Sequence, residues 1–237
     1  MIIVEIGRGL GNSMYVYAAA KALAEHHKTE LKLDASYLES WPRCEKYGGA
    51  WYFELGKFKI SGQEASNKEI RKYVLKTGFR PLDKLIKKYK LLERNVYYFP
   101  SNGKAEDFFK LHDNIYLWGY FGSEKFFKSV KKIIQKEFSL KDENKQKIKP
   151  LLEKISRENS VSLHVRRGDV LTLKDAYILP LDFYKNAVDV IKKKTKNPKF
   201  YIFSDDLEWC RKNFEDFGVP MEFVEGNEGY EDLELMK

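Results

Sequence analysis

The sequence predicts an α/β protein built on parallel sheets, and two series of elements carry that expectation. The first is a strand, glycine loop, helix, strand series over the opening forty residues. The second is a similar series over residues 161–224, where short apolar runs alternate with helical stretches. Strands that alternate with helices need crossover connections, and these place the helices on the faces of a parallel sheet.

Residues 2–6 are apolar except Glu5 and read as a buried strand. The segment Gly7-Arg8-Gly9-Leu10-Gly11-Asn12-Ser13 breaks that run. Its three glycines suggest a backbone that must be free of β-carbon clashes. A helix follows: Met14, Ala18 and Ala22 form one i, i+4 row, and Tyr15, Ala19 and Leu23 form the next. Leu31 and Leu33 alternate with Lys32 and Asp34, as a second strand would.

Residues 41–60 are aromatic and irregular. Residues 64–112 are basic and read as helices with a loop at 100–103. Ile115, Leu117 and Gly119 lead into Tyr120-Phe121-Gly122-Ser123, and Phe127, Val130, Ile134 and Phe138 give a helical stripe. The polar stretch at 139–160 reads as a linker or inter-domain helix. In the second series, Val161, Leu163 and Val165 alternate with Ser162 and His164. Tyr184, Ala187, Val188 and Ile191 make a helix, 199–203 a strand, Leu207, Cys210 and Phe214 a helix, and 221–224 a strand. The expected domains are 1–140 and 161–237, joined by 141–160.

Composition limits the function classes. The chain has 237 residues, and 15% aromatic content argues against disorder, because a disordered chain lacks the apolar surface to offset ordering entropy. The net charge of +8 comes mostly from lysine, clustered at 83–90, 128–136 and 192–194. Such clusters are solvated helix faces or attract anions such as phosphates and acidic lipid. There is no long basic tail, so nucleic acid is not an expected partner. Cys44 and Cys210 have no zinc-site spacing and fit a reducing compartment. The first apolar run is too short for a signal sequence, and no window resembles a membrane span. The expected location is the cytoplasm, with at most peripheral membrane contact.

Three stretches are candidates for chemistry. His164-Val165-Arg166-Arg167-Gly168-Asp169 lies where a strand runs out, and open α/β sheets bind ligands at that edge. Paired arginines there can fork onto diphosphate oxygens, and Asp169 can orient one of them. A salt-bridge cluster is the competing reading. Ser204, Asp205 and Asp206 lie at the next strand end and open a helix. Ser204 or Asp205 is a good N-cap, and Asp205 with Glu208 makes a capping box. The same helix start suits phosphate or ribose. The Asp-x-Asp spacing of metal-dependent transferases is absent. Gly9, Gly11 and Asn12 form the third stretch. Asn12 reads as a helix cap or as a residue reaching the ligand cleft; the glycine spacing is neither the dinucleotide fingerprint nor a P-loop.

Read together, five stretches resemble glycosyltransferase family eleven, the α-1,2-fucosyltransferases. Gly9-Leu10-Gly11-Asn12-Ser13-Met14 with Tyr17-Ala18 is similar to that family's opening motif. Gly119-Tyr120-Phe121 with the run at 123–127 resembles a second. His164 to Asp169, then Phe203 to Asp206 with Trp209-Cys210, then the run at 231–236 follow in family order. The resemblance implies a GT-B-like fold of two Rossmann-like, doubly wound parallel-sheet domains facing a cleft. It implies a GDP-fucose donor, a galactoside-type glycan acceptor, inversion at the sugar carbon, and no cofactor or metal.

It places His164, Arg166, Arg167, Asp169, Ser204, Asp205 and Asp206 at the donor, with Gly9, Gly11 and Asn12 alongside. Arg166, Arg167 and Asp169 are the expected catalytic residues. The general base is unassigned, with Asp169, Asp175 or a residue within 1–60 as candidates. Ser13 stands where the family has Gln. The family continues past the 231–236 motif, so the second domain is expected to be partial. Two other readings are a transferase using a different GDP-sugar and a non-catalytic basic protein that binds glycans or nucleic acid.

Overall fold

A computed structural model describes residues 1–7, 9–36, 38, 53–74, 80–89, 95–100, 102–172 and 177–237. The chain divides into two compact units, one reaching Ser139 and the other running from Leu140 to Lys237. Each is an α/β layer structure on a parallel sheet.

The first unit holds β1 (Ile2–Glu5), β2 (Leu31–Asp34), β3 (Gln63–Glu64), β4 (Val96–Phe99) and β5 (Ile115–Gly119) in the order β3-β2-β1-β5-β4, with every pairing parallel. Its helices are α1 (Leu10–His27), α2 (Asn67–Ile70), α3 (Arg80–Tyr89), α4 (Ala105–Phe108) and α5 (Lys131–Glu137). The first strand of the chain is therefore the centre of the sheet. Alternation in β1 explains why it is apolar at successive positions: its side chains point to both faces, and both are covered. Ile2 and Val4 join the core beneath α1, while Ile3 joins Ile70, Tyr73, Val74 and Tyr116 on the other face.

Helix α1 packs closely because alanines line it. Ala18, Ala19, Ala20, Ala22 and Ala24 are all buried. It ends at Lys28, whose left-handed backbone (φ 51°) returns its N–H to the carbonyls of Ala24 and Glu25. A glycine is needed at position 62, because a β-carbon there would lie 2.9 Å from the Tyr17 ring. Tyr17 hydroxyl donates to Glu137 Oε2 at 2.5 Å, which ties α1 to the end of α5. Burial, then the Glu137 bond, pushes the Tyr17 hydroxyl above its ordinary range.

Three details of this unit differ from the sequence expectation. The stretch at 64–112, read as helices with a loop, holds the last residue of β3 and all of β4. Val96-Tyr97-Tyr98-Phe99 is a β-branched and aromatic run that pairs with β5, and its basic surroundings hid it. The stripe at 127–138 is a 3-10 turn (Lys128–Val130) followed by α5, with another 3-10 turn (Glu124–Phe126) just before it. A β-carbon at Gly9 or Gly11 would meet nothing within 4 Å, so packing within the chain does not require either glycine.

The second unit holds β6 (Ser160–Val165), β7 (Lys199–Ser204) and β8 (Met221–Phe223) in that order, again parallel. Its helices are α6 (Asp142–Lys145), α7 (Lys149–Ile155), α8 (Leu181–Lys194), α9 (Leu207–Phe214) and α10 (Gly229–Leu235). Leu163, Val165, Phe200 and Ile202 form one face and pack on Tyr184 and Val188 of α8 and Cys210 and Phe214 of α9. The polar stretch at 141–160 folds as α6 and α7 within this unit, tied to α10 by Lys145–Glu234 and Lys147–Glu231 ion pairs of 2.7 Å each. The run at 231–236 is thus largely a helix, capped by Glu228 and Glu231 in a capping box.

Candidate functional site

The candidate site forms where β6 and β7 end side by side. Val165 pairs with Ser204 in the parallel register, so Arg166 and Arg167 leave one strand next to Asp205 and Asp206 leaving the other. Asp205 Oδ1 accepts the backbone N–H of Arg167 at 2.7 Å and fixes the turn after β6. Gly168 sits against the same carboxylate: a β-carbon there would lie 2.9 Å from Asp205 Oδ2 and 3.1 Å from its Cγ.

Asp206 has two tasks. Its Oδ1 accepts the N–H of Trp209 at 3.1 Å and caps α9. Its Oδ2 accepts Nε–H of Arg167 at 3.1 Å. Ser204 Oγ accepts the Asp206 N–H at 2.9 Å and closes the turn between strand and helix. The N-cap is therefore Asp206, not Ser204 or Asp205 as the sequence suggested. A cap one residue later leaves Asp205 to meet the β6 turn.

Arg167 is the best-restrained side chain of the group. Its guanidinium carbon lies 4.0 Å from the Trp209 ring centroid, stacked on the indole face. Its Nε is held by Asp206, and the side chain is only 17% exposed. Among the described residues, the Nη nitrogens have no hydrogen-bond partner. A guanidinium fixed at Nε and on one face presents its remaining N–H groups in one direction, as bidentate anion recognition requires. Sequence reasoning assigned no role to Trp209. The signal was available: a cap at Asp206 places Trp209 in the first helical turn, one turn from the carboxylate that holds Arg167.

Beneath this layer Cys210 is fully buried. Burial pushes its thiol up, with a Ser204 hydrogen bond opposing. Burial likewise raises the Tyr184 hydroxyl. These residues pack and support the turn.

The remaining expected site residues lie differently. Arg166 is exposed beside Arg167. His164 points away from the face that carries Leu163 and Val165. It influences Asp232, whose carboxyl is raised chiefly by burial, while Asn227 and His164 lower it. Asp169 begins a 3-10 turn, Asp169–Thr172; its side chain and all of Asp175 lie outside the described residues. Gly9 precedes α1 as its N-cap, and Gly11 lies inside that helix. Asn12 is also within the first turn of α1, so it does not cap the helix. Among the described residues no group of three His, Cys, Asp or Glu side chains is placed to hold a metal ion. Nor is any helix long and apolar enough to cross a membrane.

A second polar cluster, in the first unit, was not legible in the sequence. Glu5 and Asp34 are register partners at the ends of β1 and β2. Tyr116 hydroxyl donates to Asp34 Oδ2 at 2.6 Å and lies 3.2 Å from Glu5 Oε2. Trp118 Nε1 donates to Glu5 Oε1 at 2.6 Å. Ser36 donates its N–H (3.0 Å) and its hydroxyl (2.6 Å) to Asp34 Oδ1. Burial, then the charges of Glu5 and Asp34, holds Tyr116 well above the usual phenol range. Residues 5, 34, 116 and 118 meet only through strand pairing, and nothing local announces that.

Comparison with known proteins identifies the family and a similar fold. The family described as Glycosyl transferase family 11 matches residues 1–237. The chain is 27% identical over 246 residues to an alpha-1,2-colitosyltransferase of Escherichia coli, covering 100% of this chain and 80% of that protein. It is 29% identical over 104 residues to the galactoside 2-alpha-L-fucosyltransferase Sec1 of Mus musculus, covering 40% of this chain and 28% of that one. The fold is similar to that of NodZ of Bradyrhizobium, an alpha-1,6-fucosyltransferase whose crystals were soaked with GDP-fucose. The TM-score is 0.57 at 13% identity, over 99% of this chain and 80% of that chain.

Proposed function

The chain belongs to glycosyl transferase family 11, and we propose that it transfers L-fucose from GDP-β-L-fucose to a hydroxyl of a galactoside acceptor, with inversion. In this reading the fold is GT-B-like, and the second unit is the donor-binding half. The observation that carries the reading is the clamped guanidinium of Arg167, held by Asp206 Oδ2 at 3.1 Å and by the Trp209 ring, with its Nη groups available to an anion. A nucleoside diphosphate matches that fork in charge and spacing.

Departure of GDP from the sugar builds negative charge on the β-phosphate. A fixed cation stabilises that charge without reorganising when the bond breaks. Arg167 takes this role, with Arg166 beside it, and no metal ion is required. Gly9 and Gly11 leave the start of α1 open, which allows a ligand to approach the helix backbone there.

A second reading keeps the chemistry and changes the sugar. The similarity to a colitosyltransferase spans the whole chain, which favours colitose as an alternative to fucose. The test is calorimetric binding of GDP and of GDP-fucose without added metal, with Arg167→Ala in parallel, followed by donor competition in a turnover assay. Metal-independent binding that Arg167→Ala abolishes supports the donor site, and competition then selects the sugar. Equal binding by parent and variant removes Arg167 from the role.

A further inference from the structure

Helix α3 carries two features together. Its apolar residues sit at i, i+3, i+4 and i+7 (Leu82, Leu85, Ile86 and Tyr89), so they form one stripe about 100° wide on a 3.6-residue period. The rest of the helix sequence is mostly basic, with Arg80, Lys84, Lys87 and Lys88 against Asp83 as the sole acid. In an ordinary surface helix such a stripe is buried. Here only Ile86 is buried, at 7% exposure, while Leu82 is 42%, Leu85 46% and Tyr89 58% exposed. The helix is therefore seated by one edge of its apolar stripe, and the other large apolar side chains stay about half exposed. Three large side chains one turn apart form a contiguous patch, unlike the scattered apolar residues of a normal surface.

We propose that α3 is a docking element for an anionic lipid bilayer, lying in the interface plane with Leu82, Leu85 and Tyr89 at the boundary of headgroups and acyl chains. Charge complementarity selects this occupant. The helix sequence holds four basic residues against one acid, Lys90 follows it in the sequence, and the whole chain carries +8. A bilayer rich in acidic headgroups satisfies both the apolar stripe and the basic charge of the helix sequence. A tyrosine in the stripe suits the interface, because the side chain joins an apolar ring to a polar tip. A second copy of this chain would bring another lysine-rich helix against the first, and like charge opposes that pairing. This reading stands apart from the donor site and does not depend on it.

The experiment is vesicle co-sedimentation of the intact chain with phosphatidylcholine alone and with phosphatidylcholine containing phosphatidylglycerol. Two variants run beside the parent. Leu82→Ser/Leu85→Ser removes apolar area and keeps every charge. Lys84→Gln/Lys87→Gln/Lys88→Gln removes charge and keeps the stripe. The parent is expected to bind only the anionic vesicles. The charge variant should bind on the order of a hundredfold more weakly, from roughly one unit of interaction per lysine. The serine variant should also lose binding at unchanged charge. Tyr89→Trp supplies a second readout: its emission shifts to the blue when anionic vesicles are added.

Three results overturn the proposal. One is no binding to anionic vesicles. Another is binding that the serine variant retains in full with no shift from Tyr89→Trp, which marks diffuse attraction to the basic surface. The last is a parent that is dimeric in sedimentation and becomes monomeric in the serine variant, which makes the patch a contact between copies. Circular dichroism of each variant confirms that it is folded, and retained GDP binding separates any failure here from failure of the donor-site reading.

Discussion

Arg167 and Asp206 face each other at 3.1 Å across the ends of two adjacent parallel strands, and the same carboxylate begins α9. Helix start and cation position are thereby one structure. The pair is partly exposed, so its value lies less in stability than in direction: it fixes where the guanidinium points.

Replacing Arg167 by Lys keeps the charge and removes the fork. Lysine cannot stack on Trp209 as a plane and has no Nε–H to give Asp206. GDP affinity is expected to fall about tenfold or more, with folding retained. Calorimetry checks the first part and thermal melting the second. Affinity equal to the parent would mean that a point charge suffices.

Asp206→Asn and Asp206→Ala separate the two tasks of that residue. Asparagine can still cap α9 through its amide oxygen, whereas alanine cannot, so only alanine should cost the roughly 1 kcal/mol typical of a lost cap. Both should weaken GDP binding, because both remove the charge that holds Arg167. Urea unfolding and calorimetry on the two variants give the comparison.

Gly168→Ala places a methyl group 2.9 Å from Asp205 Oδ2. The carboxylate must move, and its 2.7 Å bond from the Arg167 N–H lengthens or breaks. A loss of about 1–2 kcal/mol in stability is expected, along with weaker GDP binding. Unchanged behaviour in both assays would show that the turn after β6 adapts freely.

In the first unit, Tyr116→Phe removes the hydroxyl that donates to fully buried Asp34. A buried acceptor that loses its donor costs about 1–3 kcal/mol. Urea denaturation of the variant measures this directly.

Acid should weaken the second unit through Glu158 and Glu222. The Tyr201 hydrogen bond lowers Glu158, with Lys199 assisting, and Lys154 lowers Glu222, again with Lys199. Carboxylates lowered in the folded state give stability that is present above their ordinary value of 4.5 and is lost as the pH falls through the folded values. Melting temperature should therefore be flat across neutral pH and decline from about pH 4.5 downward. Glu222→Gln should make that decline shallower.

Local sequence carried much of the fold. The strands at 2–5, 31–34, 160–165, 199–204 and 221–223 are apolar or alternating runs bounded by loops, and they were readable for that reason. β3 is two residues long and shows no period. β4 is four residues long and sits in a longer stretch read as helical from its overall basic composition, although its own residues favour a strand. At the site, the order of motifs brought Arg167, Ser204, Asp205 and Asp206 together on paper. The roles within the group needed coordinates, because a one-residue shift in the cap exchanges the tasks of the two aspartates. The cluster at Glu5, Asp34, Tyr116 and Trp118 has contributors more than a hundred residues apart, and no window of sequence contains them.

The place of β1 at the centre of its sheet has a consequence for synthesis. One edge of β1 pairs with β2, which follows it across a single helix, but its other edge pairs with residues 115–117 of β5. At ribosomal rates of about 5–20 residues per second, β1 waits roughly 6–20 s for that partner. Until then the native partner for that apolar strand edge is not available to the nascent chain. Chaperone dependence and yield in expression should therefore be set by how quickly the segment up to Gly119 emerges, and slowing translation between β2 and β5 should be more harmful than slowing it anywhere after.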